Sequence, residues 1–153
     1  MKSVMRITMA LLCLLGAVTA VGQTASVDWV RGTDFNRFHT FTWATGAYPI
    51  QDPDPNLRMA FAIQDELAAK GVTYVMGQQK FDVFVAYTAI VNPDPQNVSR
   101  NIVTLKVMIF DSRNNTIIWR AGGYFELGKD KQQNRANAKA LLVSMFNKYP
   151  PTE

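Results

Sequence analysis

The side chains that could carry catalysis are few in this chain of 153 residues. Serine-type hydrolysis needs a nucleophile, a histidine that takes its proton and an acid that orients the histidine. His39 is the single histidine, and the sequence has no nucleophile-elbow motif around a serine. We therefore predict that His39 is structural, that the chain has no catalytic residues and that it is not an enzyme.

Residues that could bind a metal are equally sparse. A zinc site usually takes four ligands from histidine, cysteine and carboxylate side chains, and the chain has one histidine and one cysteine. Asp52 and Asp54 share a loop and have the oxygen atoms that calcium prefers, but they are better explained as a turn residue and a helix N-cap. We predict no metal site and no cofactor.

Carboxylates that are distant in sequence leave one enzymatic alternative open. Folding could bring together Asp52, Asp82 or Asp111, and two carboxylates that flank a cleft can hydrolyse glycosidic bonds. The alternative hypothesis is therefore a hydrolase that acts on a polymer of the cell envelope.

The N-terminal segment has the organisation of a secretion signal. Two basic residues precede an uncharged apolar stretch over residues 7–21, which is shorter than the roughly 20 residues of a membrane-spanning helix. Small residues lie at its end, so we predict a cleavable signal peptide over residues 1–20 and a mature chain that begins near Val21 or Gln23. The mature protein is expected to be exported, either periplasmic or secreted.

Cleavage changes the charge and the thiol content of the chain. The 16 basic residues less Lys2 and Arg6 leave 14, against 12 acidic residues, which gives the mature chain a net charge of +2. Nucleic-acid binding requires a concentrated basic surface, so we exclude it. Cys13 is lost with the signal, and it follows Leu12 rather than the small residue that lipoprotein processing needs. We therefore expect neither lipidation nor a stable membrane anchor.

Hydrophobic periodicity predicts an α+β domain over residues 21–153. Apolar stripes at helical spacing predict two helices, one from Asp54-Pro55 to Gly71 and one over residues 131–148. A loop at 92–97 and a turn at 112–115 connect the later strands, which favours antiparallel pairing. We predict two layers, an antiparallel β-meander sheet with both helices packed on one face. Strands are predicted over residues 27–30, 40–43, 82–91, 102–111 and 116–127.

The sheet face without helices is the predicted binding surface. Along the strand over 102–111, one set of alternate side chains is apolar and the other is mixed in polarity. A mixed face that is left uncovered suits contact with a partner. The candidate residues for this contact are Thr104, Lys106, Phe110, Arg120 and Tyr124.

Several short segments follow one another over nearly the whole mature chain. They are DFNRFHTFTW at 34–43, the helix over 57–71, FDVFV at 81–85, VMIFD at 107–111, IIWRAG at 117–122 and KYPP at 148–151. In this order they resemble domain-of-unknown-function family 4136. The resemblance implies an exported bacterial protein with a small α+β fold and no assigned biochemical activity. Many members of that family are lipoproteins, and this chain departs from them because it lacks a suitably placed cysteine.

Export without a catalytic constellation leads to the main functional hypothesis, a non-catalytic module that binds another protein or polymer of the cell envelope. Besides the hydrolase, a further alternative is a structural component that assembles through a sheet edge, because the short first strand would leave that edge exposed. The identity of the partner, the strand order and the oligomeric state stay open at this point.

Overall fold

The structure is a computed structural model, and it describes residues 25–44, 52–76 and 80–152. The predicted signal peptide, its cleavage sites and Cys13 lie outside the described residues. In the part of the chain that the structure describes, no helix is long and apolar enough to cross a membrane.

The described residues form one six-stranded sheet and two α-helices. The sheet has the strand order β1-β6-β5-β4-β2-β3, and the long strands β4, β5 and β6 follow each other as antiparallel neighbours. The strands are β1 (Ser26–Trp29), β2 (Thr40–Trp43), β3 (Thr73–Tyr74), β4 (Val83–Asp94), β5 (Asn97–Asp111) and β6 (Ile117–Leu127), and the helices are α1 (Met59–Ala69) and α2 (Lys131–Phe146).

The sheet is mixed, so the prediction of an α+β fold is confirmed but the prediction of a purely antiparallel meander is wrong. Strand β2 runs parallel to both β3 and β4. The chain between β2 and β3 contains α1, and a crossover of this kind returns the chain in the same direction, which parallel pairing requires. The antiparallel meander is confined to β4, β5 and β6, and β1 adds to it antiparallel at the edge of β6.

The hydrophobic core lies between the sheet and the helices. Alternate side chains of β4 and β5 point to this side, and each large apolar side chain that is fully buried contributes roughly 1.5–3 kcal/mol. On the helix side, Phe146 of α2 stacks on Trp119 of β6 with ring centroids 5.2 Å apart, and Ile63 and Leu67 of α1 join the same core. The buried apolar and aromatic residues of the two long strands are Val83, Val85, Tyr87, Val103, Leu105, Val107 and Ile109.

The boundaries of the helices differ in detail from the predicted ones. Asp54 caps a short 3-10 helix, Pro55–Leu57, and Arg58 in the left-handed region (φ 51°) separates that turn from α1. A left-handed residue interrupts the helical hydrogen bonds, so the predicted single helix becomes two pieces. The helix ends before Gly71, whose φ of +79° is the left-handed conformation expected of a C-terminal glycine.

The hairpin between β4 and β5 is longer than predicted. Residues 92–97, predicted to be a loop, are mostly strand, and Pro95 and Gln96 form the turn. The pairing continues from Val83 opposite Asp111 to Asp94 opposite Asn97, with an irregularity between Pro93 and Asp94. Proline tolerates such positions where a strand has no further neighbour to bond.

Candidate functional site

The sheet face opposite the helices, here called the open face, displays the even-numbered side chains of β4 and β5 and, from Arg120 onward, those of β6. All five residues predicted to contact a partner lie on it. Thr104 stands directly opposite Tyr124, Lys106 lies between Thr88 and Gly122, and Phe110 lies opposite Phe84. Arg120 is opposite Met108. The sheet therefore brings the five residues onto one surface, although Thr104 and Phe110 stand six positions, about 20 Å, apart along β5.

One end of the open face is strongly exposed and mixed in polarity, with Ile90 exposed in the same row as Thr104 and Tyr124. Tyr124 has 66% of its surface accessible, and Lys106 is also exposed. Gly122 stands opposite Lys106, and a β-carbon built on it would lie 3.7 Å from Cγ of Lys106. The stem of Lys106 therefore lies beside Gly122, a position without a side chain.

The other end of the open face is aromatic. The rings of Phe81 and Phe84 meet edge to face with centroids 4.7 Å apart, and Phe84 is the cross-strand neighbour of Phe110. A shallow depression is lined by Phe84 and Phe110 together with Ala44 and Asn115. These rings are half-buried although no helix covers them, so this end offers apolar contact area to a partner.

Ion pairs neutralise most of the charge on the open face. Nη2 of Arg120 lies 2.7 Å from Oδ2 of Asp28, which stands directly opposite it on β1. Nη2 of Arg100 lies 3.1 Å from Oε2 of Glu126 and 3.5 Å from Oδ2 of Asp94. Arg120, one of the five predicted residues, is thus held by a counter-ion at the edge of the sheet.

The carboxylate of Asp52 bonds to groups inside the fold. Oδ2 of Asp52 accepts from the backbone N–H of Met59 at 3.0 Å, and Oδ1 accepts from the hydroxyl of Tyr87 at 2.7 Å. The first bond satisfies an N–H at the start of α1, and the second fixes that helix to β4. Asp52 therefore acts as a helix cap at a distance of seven residues.

Asp82 holds the start of β2. Its Oδ2 accepts from the backbone N–H of His39 at 2.8 Å and from the N–H and Oγ1 of Thr40 at 3.0 and 3.1 Å. Burial alone would raise the pKa of Asp82, but these hydrogen bonds outweigh it and lower the pKa. His39 contributes its backbone to this junction, with its carbonyl accepting from Thr73 of β3.

Asp111 is a buried carboxylate that binds two arginines. Oδ2 accepts from Nη2 of Arg37 at 2.6 Å and from Nη2 of Arg113 at 2.8 Å, and Oδ1 accepts from the backbone N–H and Nε of Arg113. The hydrogen bonds from the Arg113 side chain lower the pKa of Asp111 to about 2. This cluster fastens the 3-10 helix at Phe35–Arg37 to the turn after β5.

The three carboxylates of the hydrolase alternative are therefore each bonded to donors of the fold. Asp52 caps α1, Asp82 accepts hydrogen bonds from the start of β2, and Asp111 accepts hydrogen bonds from two guanidinium groups. Among the described residues, no three histidine, cysteine or acidic side chains converge in a way that could hold a metal ion.

Sequence reasoning missed two contributors to the open face. Asp28 of β1 was not recognised because the pairing of β1 with β6 is long-range, and strand pattern alone gives no register between them. The sequence is sufficient to place Phe84 on the open face, because the alternation of β4 that buries Val83 and Val85 puts Phe84 on the opposite side.

Comparisons with known proteins agree on the fold. The family model described as a domain of unknown function, DUF4136, matches residues 25–151. The chain is similar to the crystal structure of a DUF4136 family protein from Bacteroides thetaiotaomicron, with 12% identity and a TM-score of 0.60 over 84% of this chain and 96% of that one. No curated protein matches the sequence.

Two further solved structures share this fold. One is a PDZ domain protein from Parabacteroides distasonis, with 15% identity and a TM-score of 0.61 over 86% of this chain. The alignment spans 36% of that protein, so this chain matches about a third of its length. The other is a PelC dodecamer from Paraburkholderia phytofirmans, with 13% identity and a TM-score of 0.50 over 80% of this chain and 97% of that one. At identities this low, the comparisons show that the folds are similar and nothing more.

Proposed function

This chain belongs to the DUF4136 family, as its sequence segments predicted, and from that premise we propose that it is an exported, non-catalytic module that binds another component of the cell envelope through its open face. The observation that carries the proposal is the composition of that face. An exposed tyrosine and an exposed lysine lie at one end, and half-buried aromatic rings lie at the other. Tyrosine and other aromatic residues are enriched in the residues that dominate binding energy at protein interfaces.

Export rests on the N-terminal sequence. The charged start, the short apolar stretch and the small residues that follow are the features of a cleavable signal peptide. The mature chain then lacks a thiol, which suits an oxidising compartment such as the periplasm or the extracellular space.

Binding is favoured over hydrolysis by the contacts of the acidic residues. A general acid or base must have a lone pair or a proton available to the substrate. The carboxylates of Asp52, Asp82 and Asp111 instead accept hydrogen bonds from backbone, tyrosine and arginine donors of the fold. These contacts explain the three residues as structural.

Site-specific cross-linking in the native cells tests the proposal. A photoreactive phenylalanine analogue replaces Tyr124 on the open face in one strain and Arg135, exposed on α2, in another. We expect adducts of one defined envelope component from position 124 and none from position 135. Equal labelling from both positions, or none from either, would contradict the assignment of the open face.

Assembly through a sheet edge is a second candidate, and one observation favours it. Strand β1 pairs with Trp119 to Gly122, so residues 123–127 of β6 have no neighbour on that side within the described residues. Unpaired edges of this kind template pairing with another chain. The PelC structure that shares the fold is a dodecamer. Sedimentation velocity of the mature protein over a wide concentration range tests this candidate, and a monomer at every concentration would contradict it.

A further inference from the structure

The last part of β6 borders no strand on the side where β1 lies. The pairing of β1 stops where Ser26 stands opposite Gly122. Within the described residues, no strand pairs with residues 123–127 on that side. Just past the strand, both backbone groups of Gly128 are bonded to the side chain of Asn134. The unpaired stretch of β6 is therefore bounded at both ends.

Two residues of this stretch turn their backbone groups toward the open side. The N–H of Val30 donates to the carbonyl of Ile118 at 3.0 Å. From Ile118 onward, the even-numbered residues of β6 therefore direct their N–H and C=O groups toward β1, because these groups alternate along an antiparallel strand. Tyr124 and Glu126 continue the alternation where β1 is no longer beside them. The N–H and C=O groups of both residues face the edge of the sheet.

Ala25, the residue before β1, is already held against the sheet. Its side chain is buried in the core, with 3% of its surface accessible. Nζ of Lys148 donates to its carbonyl at 3.5 Å. In the register of β1, Ala25 stands opposite Gly123, so the chain reaches the unpaired stretch of β6 at its first residue.

The chain before β1 has the length that this stretch of β6 requires. Cleavage after Ala20, as the sequence predicts, leaves residues 21–25 ahead of Ser26. The unpaired residues 123–127 form a stretch of equal length. In the register of β1, the facing pairs are Val21 with Leu127, Gly22 with Glu126, Gln23 with Phe125, Thr24 with Tyr124 and Ala25 with Gly123.

The side chains of this segment match the two faces of the sheet. Residues that face each other across antiparallel strands share one face. Val21 then joins Leu127, which packs against the core, and Thr24 stands beside the exposed Tyr124 on the open face. Valine and threonine are favoured in strands. The glycine and the glutamine of the segment add no apolar contact, so backbone pairing supplies most of the gain.

We propose that residues 21–25, once the signal peptide is removed, extend β1 and pair with residues 123–127 of β6, so that processing of the exported chain closes this edge of the sheet. Thr24 and Gly22 supply the backbone partners of Tyr124 and Glu126. The inference rests on the export step of the proposed function and is independent of binding through the open face.

This segment is favoured over a strand from another molecule because it is joined directly to β1. No loop has to close, and a tethered segment has an effective concentration on the order of millimolar. An open strand edge templates pairing between molecules, and a strand that covers it removes this risk. Assembly through the same edge, the second candidate above, is then available only to a chain whose segment is displaced or missing.

Amide hydrogen exchange of the exported protein tests the pairing. The protein is labelled with nitrogen-15, exported with its own signal peptide and purified after processing, and exchange is followed residue by residue. With Val21 at the N-terminus, the amides of Tyr124 and Glu126 are expected to exchange at least about fivefold more slowly than unpaired amides, the effect of one backbone hydrogen bond. A chain that begins at Gln23 is expected to protect Tyr124 and not Glu126.

Two proline variants connect the protection to backbone pairing. Thr24→Pro removes an N–H that faces β6 and is expected to return the amide of Tyr124 to fast exchange. Gln23→Pro is the matched control, because it removes an N–H that points away from β6, where an edge strand tolerates proline. Both prolines favour an extended residue before them, so neither opposes a strand conformation. The control leaves the protection of Tyr124 unchanged.

Three results would overturn the pairing: fast exchange of both amides in a chain that begins at Val21, equal effects of the two prolines, or protection that appears only as the protein dimerises with rising concentration. The last result would assign the edge to a second copy of the chain. Mass spectrometry of the same sample separates the two steps. A chain that retains the signal peptide shows that the export step is wrong, whereas a processed chain with unprotected amides shows that the pairing is wrong.

Discussion

Replacement of Asp111 by asparagine tests the energetic reading of the buried arginine cluster. The side chain of Asp111 is 2% exposed and accepts hydrogen bonds from two guanidinium groups and one backbone N–H. Asp111→Asn keeps the shape of the side chain and removes its charge. The NH2 group of the asparagine then faces the N–H donors of the two arginines. We expect the variant to be less stable at neutral pH, with the two arginines turning outward to water.

The magnitude follows from the pKa of Asp111, which the Arg113 hydrogen bonds lower from 3.8 to about 2. Each pKa unit corresponds to about 1.4 kcal/mol, so ionisation of this group contributes about 2 kcal/mol to the free energy of unfolding. A folded-state pKa below the unfolded value gives stability that is present above pH 3.8 and is lost as the pH falls through about 2. Arg37 and Arg113 are 36% and 63% exposed, so each can be solvated when the carboxylate is removed. The loss therefore stays below the 3–5 kcal/mol typical of a fully buried charge left alone.

The assay is urea unfolding followed by tryptophan fluorescence, since Trp119 is completely buried. The difference in the free energy of unfolding between the natural protein and Asp111→Asn is measured from pH 7 downward. We expect about 2 kcal/mol at pH 7 and a decline below pH 4 as the natural carboxylate protonates. Asp65→Asn, at an exposed position of α1, is the control and changes stability by less than about 0.5 kcal/mol. A difference that is constant with pH, or a variant as stable as the control, would refute the reasoning.

Three further predictions concern a hydrogen bond, two glycines and the N-terminus of the exported protein. Tyr87→Phe removes the hydroxyl that donates to Asp52 and is expected to cost about 1 kcal/mol in urea unfolding, and an unchanged midpoint would contradict the contribution of this hydrogen bond between β4 and Asp52. Gly71→Ala forces a β-carbon at a φ of +79° and is expected to cost about 1 kcal/mol, whereas Gly122→Ala, whose β-carbon meets its neighbours at 3.7 Å, is near neutral; equal costs would contradict this difference. Mass spectrometry of the exported protein is expected to give an N-terminus near Val21 or Gln23, and recovery of the uncleaved chain would contradict the signal peptide.

The long elements could be predicted from the sequence because each of them is buried on one side. In β5, the alternation of Val103, Leu105, Val107 and Ile109 with polar or mixed neighbours fixes both the strand and its inner face. The same alternation placed Thr104, Lys106 and Phe110 together on the outer face. Position on a shared face follows from a period of two, so it needs no knowledge of the tertiary structure.

The elements that the sequence did not reveal depend on long-range pairing. Strand β3 has two residues, Thr73 and Tyr74, which is too short for any periodicity to appear. Its pairing with β2 is parallel and depends on the crossover through α1. Arg58 in the left-handed region breaks the predicted first helix, and an arginine does not predict this conformation because non-glycine residues adopt it rarely. The role of Asp111 is equally hidden, because Arg37 lies 74 residues away in the chain.

The core and the proposed binding surface use alternate residues of the same strands. The inner face packs against α1 and α2, so truncation of Leu105 or Ile109 leaves a cavity and costs roughly 2–5 kcal/mol. On the open face, Lys106 and Tyr124 project into solvent, and their replacement removes little buried area. Substitutions at adjacent positions of β5 are thus expected to have different effects. Those on the inner face reduce stability, and those on the open face reduce binding. A binding defect at Lys106 or Tyr124 in a protein with an unchanged unfolding curve is therefore direct evidence of recognition, because no contact of the core is altered.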